Sequence, residues 1–164
     1  MGYLSQPGTQ EKETMLIKYL MAVAISFVVV SVAMAAGGSS SSTKPKDGYY
    51  EQGVKAVDSA DYKKAIKLFN KVVATKPTNA DAWNYLGLSN RKLKNFDQAL
   101  SAYQKALAID PKHRGANEYL GELYLQTGEP EKARERLNKL DDICFFGCEE
   151  FDDLKAAILA YENQ

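Results

Sequence analysis

Few side chains in this sequence are suited to chemistry. Cys144 and Cys148 stand four apart in the run Cys144-Phe145-Phe146-Gly147-Cys148, and the 164-residue chain has no other cysteine. Such a pair can close a disulfide, cycle as a dithiol, or bind a soft ion such as Cu(I). The C-x-x-x-C spacing departs from the C-x-x-C of thioredoxin-like sites. Two thiols are also too few for a closed four-thiolate zinc site. His113, the one histidine, lies between Lys112 and Arg114 with no second ligand near it, and reads as a surface or capping residue. Acidic pairs such as Asp141-Asp142 sit near expected helix ends, where carboxylates cap and solubilise. No phosphate-binding loop, dinucleotide fingerprint, zinc-protease motif or nucleophile elbow occurs. The expectation is no catalytic residue, no metal and no cofactor.

Charge and composition narrow the classes further. Lys+Arg and Asp+Glu both total 21, a balance that argues against a nucleic-acid binder. At 45% apolar and 26% charged, the chain has the make-up of a globular protein. The charge is unevenly placed. Residues 44–114 hold 14 basic and 7 acidic side chains, whereas residues 115–164 hold 5 basic and 12 acidic. A dipolar domain of this kind can orient a partner or self-associate in a salt-sensitive way.

The first third of the chain reads as targeting. Residues 19–36 carry no charge, follow Lys18 and run into Gly37-Gly38 and four serines. Ala33-Met34-Ala35 is a small-x-small cleavage pattern, so residues 1–35 are read as an N-terminal extension and signal peptide, with Met15 as a candidate start. The implied location is exported, with the periplasm first. An uncleaved anchor is the alternative, since 18 apolar residues just suffice to span a bilayer. After cleavage no membrane attachment is expected. Residues 36–45 form a Gly/Ser-rich linker ending at Pro45.

From residue 46 onward the sequence repeats every 34 residues. Gly53, Gly87 and Gly121 coincide, as do Ala65, Ala99 and Ala133. For a given Gly, two such matches arise by chance about once in 200 columns. Phe69, Tyr103 and Leu137 share a further column, and Pro77 and Pro111 another. Each unit reads as two helical stretches with apolar residues at helical spacing; in the second unit these are residues 80–93 and 96–109. Asn79 is a plausible N-cap, Pro77 and Pro111 terminate second helices, and Gly128 with Pro130 marks a stop and a start. Small residues in the Gly and Ala columns imply close helix approach, so Gly87 should resist enlargement, whereas Lys94 should tolerate alanine.

The motif Trp83-x2-Leu86-Gly87, Ala99-x3-Tyr103, Pro111 resembles the tetratricopeptide repeat. The resemblance covers residues 46–140, with Asn90 and Asn117 standing at two usual aromatic positions. It implies an all-α solenoid of three 34-residue units (46–79, 80–113 and 114–140) plus a cap at 141–164. Within the cap, residues 149–162 form an amphipathic helix with acids in its first turn.

Such domains are typically non-enzymatic scaffolds that hold a protein or peptide in a concave groove. By that resemblance the groove residues are Tyr50, Val54 and Val57, then Asn84, Leu88, Arg91 and Lys92, then Glu118, Glu122 and Leu125. The groove would be aromatic at one end, basic in the middle and acidic at the other, with Arg91 a replaceable surface anchor. Family members that bind chaperone tails hold a C-terminal carboxylate with a clamp of Lys, Asn and Arg. The matching positions here are Tyr50, Val54, Tyr85, Gly115 and Tyr119, so that ligand class is disfavoured. Two other readings remain open: a redox or soft-metal accessory acting through Cys144 and Cys148, and a self-assembling module. In an oxidising compartment the two cysteines are expected to pair, with Gly147 supplying the turn and Phe145 and Phe146 plugging the core.

Overall fold

The computed structural model describes residues 48–164. The leader, its cleavage point, the candidate start at Met15 and the linker lie outside the described residues. Seven helices and no strand make up the described part: α1 Gly48–Asp58, α2 Tyr62–Thr75, α3 Ala80–Lys92, α4 Phe96–Ile109, α5 Arg114–Gln126, α6 Pro130–Ile143 and α7 Glu149–Glu162. The pairs α1–α2, α3–α4 and α5–α6 pack as hairpins, and each hairpin leans on the next. The third pair runs three residues beyond 140. The single helix α7 packs against both α5 and α6. The fold is the all-α solenoid expected from the periodicity. Among the described residues, no helix is long and apolar enough to cross a membrane.

Local chemistry fixes the helix ends. Asn79 and Asp61 accept backbone N–H groups of Ala82 and Lys64, satisfying donors that the first helical turn leaves free. His113 does the same for α5: its Nδ1 accepts from the Ala116 N–H at 3.2 Å. With Nδ1 accepting, Nε2 carries the proton and points at Asp81 Oδ1, 3.1 Å away at the start of α3. The lone histidine is thus a cap that also ties neighbouring hairpins. Pro130 occupies the first turn of α6, where a missing N–H costs nothing.

The turns inside the three hairpins share one geometry that the sequence only partly signals. Ala60, Lys94 and Gly128 are spaced by 34 residues and all have positive φ, at 57°, 62° and 78°. Each closes the preceding helix by paired backbone bonds, such as Asn95 N–H to Asn90 O at 2.9 Å and Lys94 N–H to Arg91 O at 2.9 Å. Only the third carries the glycine that this conformation favours. Lys94 is therefore exposed but left-handed, a conformation that alanine would share and glycine would relieve.

The glycine column is a close-approach column. A Cβ on Gly53 would stand 2.7 Å from the Phe69 ring, and one on Gly87 would overlap the ring of Tyr103. Phe69 and Tyr103 are fully buried in these hollows. In the third hairpin the column partner Leu137 is smaller, and Leu154 of α7 fills the hollow instead, 2.6 Å from a Cβ built on Gly121. Leu154 also belongs to the terminal core of Leu125, Ala133, Leu140 and Ile158. The last helix thus replaces the missing aromatic.

Between α6 and α7 the helix breaks, and Gly147 turns the chain at φ 85°. The Cys144 and Cys148 Cα atoms lie 5.6 Å apart with their sulfurs joined. Phe145 and Phe146 do not plug the core. They are 87% and 97% exposed and meet edge to face at 5.0 Å. The loop between the sulfurs is too short to fold the rings back, and Leu140, Leu154 and Ile158 already fill the space beneath.

Two substitutions separate the close-approach column from the turn column. Gly87→Ala is expected to cost about 1–3 kcal/mol by overpacking. Lys94→Gly is expected to stabilise by about 0.5–1 kcal/mol by relieving a left-handed residue. Urea unfolding of the two variants measures both; a stabilising Gly87→Ala would refute the contact.

Candidate functional site

The inner surface is formed by the first helices α1, α3 and α5, joined at its far end by α7. At the α1 end, Tyr50, Val54 and Val57 are half-buried against the first core cluster. Tyr50 meets Phe69 and Tyr85 edge-on at 5.7 and 6.0 Å, and Phe69 stacks on Tyr85 at 5.0 Å. The aromatic end of the groove is present, but its rings largely pack on one another.

The expected basic middle is only partly open: Lys92 is exposed and lines a cavity with Lys94, but Arg91 is covered. Arg91 is only 3% exposed and forms an ion pair with Glu122 across the α3–α5 interface. Its guanidinium lies 5.6 Å from the Tyr119 ring centre. The helices approach so closely here that the cation is covered. Its charge reversal would leave a buried acid facing Glu122, which destabilises strongly. Arg91 is accordingly a structural residue, and the expectation of a replaceable surface anchor is corrected. Leu88 and Leu125 are also buried, while Lys92 is exposed. Burial raises the Tyr103 hydroxyl well above its ordinary range, and the nearby Arg91 charge opposes that rise.

A further open part of the groove lies between α3, α5 and α7 and is acidic. A pocket of about 240 Å³ is lined by Asn84 and Tyr85 of α3, Gly115, Glu118 and Tyr119 of α5, and Glu149, Glu150 and Asp153 of α7. Burial pushes the Glu118 carboxyl up to about 8, assisted by Glu122, Asp153 and Glu150 and opposed by Arg91. Tyr119 is likewise pushed up to about 12, first by burial and then by Glu118 and Glu122. The side-chain oxygen of Asn84, a residue 6% exposed, has no hydrogen-bond partner. Arg114 reaches Glu150 at 3.6 Å from the rim.

Of the residues expected to line a groove, the structure brings Asn84 and Glu118 into this pocket. It leaves Tyr50, Val54 and Val57 at the other end, and Arg91 and Glu122 paired beneath. Sequence reasoning missed the α7 acids, reading them as dipole partners alone. A signal was available: Glu149, Asp153 and Leu154 stand 34 residues after Gly115, Tyr119 and Leu120. The cap keeps the register of a fourth first helix although the proline column is lost at Phe145.

The hairpin array, the glycine hollows and the 34-residue register together define a helical-repeat binding scaffold. Two tetratricopeptide repeat profiles match residues 50–114 and 91–158. The chain belongs to the tetratricopeptide repeat family. It is 34% identical over 92 residues to small glutamine-rich tetratricopeptide repeat-containing protein 2 of Saccharomyces cerevisiae, covering 56% of this chain and 27% of that protein. The chain therefore spans about a quarter of that relative. Among solved structures, MamA 41-end from Desulfovibrio magneticus RS-1 superposes with TM-score 0.58 at 25% identity, over 61% of this chain and 56% of that one. The first tetratricopeptide domain of Spaghetti (RPAP3), bound to an HSP90 peptide, gives TM-score 0.63 at 20% identity over 71% and 93%. The second of these shows likeness of fold only.

The raised Glu118 carboxyl makes stability depend on pH. An acid whose folded value lies above its unfolded value binds more protons when folded, so stability falls as pH rises from about 4.5 to about 8. Glu118→Gln should therefore match the parent at pH 5 and exceed it by about 1–3 kcal/mol at pH 9. Thermal unfolding at the two pH values measures the difference; equal differences at both would refute it.

Proposed function

We propose that this chain is a non-enzymatic, exported adaptor that holds a protein or peptide segment along its concave face. The observation that carries the reading is the pocket between α3, α5 and α7, where side chains from three successive repeat positions converge on an open volume. Family membership supports a binding role, as does the complex of the Spaghetti domain with a peptide. The reading assigns the groove contacts to Tyr85, Asn84, Glu118 and Tyr119, with the α1 aromatics extending the surface. A photo-cross-linking residue in place of Tyr85 should capture the partner in extracts of the source compartment. The same residue in place of Lys67, exposed on a second helix, should not. Equal capture from both positions would overturn the groove reading.

Export is supported by the leader pattern and by the joined sulfurs of Cys144 and Cys148, a bond that persists in oxidising compartments. The pair fixes the break between α6 and α7, and so the placement of the α7 acids in the pocket. Its entropic effect on global stability should fall below the usual ~2–4 kcal/mol, since the closed loop is short. Intact mass after alkylation, with and without prior reduction, should show no free thiol in protein taken from its own compartment. Two alkylated thiols without reduction would refute both the bond and its compartment.

A further inference from the structure

The open pocket is lined by acceptors. Glu118, Glu149, Glu150 and Asp153 contribute carboxylates from two helices. Asn84, 6% exposed, also lines the site, and its buried side-chain oxygen has no hydrogen-bond partner. Arg114 at the rim, itself about half exposed, contacts these acids through Glu150. Arg91 beneath is already committed to Glu122. Glu118 makes no ion pair among the described residues, though it is only 7% exposed. Tyr85 and Tyr119 add ring surface to the walls. A cluster of carboxylates around one almost fully buried member, Glu118, with Glu149 and Asp153 exposed, calls for a ligand that brings donors and positive charge.

A metal ion does not fit this description. Among the described residues no group of three or more His, Cys, Asp or Glu side chains is placed to ligate one. The carboxylates are instead spread around a volume of about 240 Å³, which suits an organic cation. A planar guanidinium meets carboxylates as a fork and lies flat on aromatic rings, and its donors match the spread of acceptors better than a point charge does.

We propose that this pocket binds an arginine side chain of the partner, so that the chain recognises a basic peptide segment rather than an acidic tail. The inference rests on the adaptor reading and adds its ligand chemistry. Binding draws the proton off Glu118, so affinity rises with pH. The groups facing that carboxyl are Glu122 on its own helix, Glu150 and Asp153 on α7, and Arg91 on α3.

The test is a titration of the full chain, followed by NMR, with the probe peptide acetyl-Ala-Arg-Ala-amide and with its Glu counterpart. The Arg peptide should shift the Asn84 side-chain amide saturably, and the Glu peptide should not. Affinity should rise about tenfold between pH 6.5 and 8.5, following ionisation of Glu118. Glu118→Gln with Asp153→Asn should weaken binding at least about tenfold, the loss typical of a charged contact. Should that double variant fail to fold, Asp153→Asn alone changes an exposed residue and should still weaken binding. Asp141→Asn with Asp142→Asn, elsewhere in the acidic half, should leave binding unchanged. Equal binding of both peptides, or equal loss in both pairs of variants, would overturn the proposal. If the Arg peptide fails while Tyr85 still cross-links a partner, the cation pocket is wrong and the adaptor reading stands.

Discussion

The contact between a glycine on each first helix and a large side chain from the next packing helix sets the spacing of everything else. Gly53 admits Phe69, Gly87 admits Tyr103 and Gly121 admits Leu154. Because these positions lack a Cβ, each ring or branched side chain reaches the helix backbone and is fully buried. Close-packed interiors tolerate little change in volume, so this depth fixes the distance between helices. The distance in turn decides which inner-face residues are covered and which stay open. Arg91 is covered where α3 meets α5 and pairs with Glu122; Glu118, one turn before Glu122, borders the opening.

The third hollow shows how the array ends. Leu137 is too small to fill what Phe69 and Tyr103 fill in their repeats. Left empty, such a hollow costs stability roughly in proportion to its volume. Leu154 enters it from α7 and, with Ile158, joins the cap to the core of the last hairpin. The cap therefore does more than cover apolar surface. Its first-turn carboxylates are carried to the inner face by the same helix that Leu154 seats, and the joined Cys144 and Cys148 set where that helix begins.

Much of the architecture was legible because it follows from periodicity. A repeat of 34 with fixed Gly and Ala columns defines hairpins, and the helices of the second hairpin fall where apolar spacing and Asn79 place them. The positive-φ turns were less legible. Ala60 and Lys94 give no local sign of a left-handed residue; only Gly128 does. The site was harder still. Exposure of an inner-face residue depends on helix separation, which residue types do not encode, so Arg91 read as an open cation when it is an internal ion pair. Phe145 and Phe146 misled in the opposite direction, since apolar side chains imply burial unless a short closed loop denies them room.

The distribution of charge ties fold to function. The 12 acids of residues 115–164 are not a uniformly solvated face. Four of them converge on one pocket, and one of those four is almost fully buried. Clustering like charges away from water raises free energy unless a proton or a cation intervenes. In the free protein the proton on Glu118 supplies that relief, while Arg91, though buried nearby, is engaged by Glu122. The same arrangement is poised to exchange the proton for a donor-rich side chain that pairs with the carboxylate. A groove built only for apolar contact would have no reason to line one pocket with four carboxylates, one of them almost fully buried and without an ion pair among the described residues. That carboxyl is local destabilisation retained in an open stretch of the inner surface, as expected of a surface whose lowest free energy is reached with a partner bound.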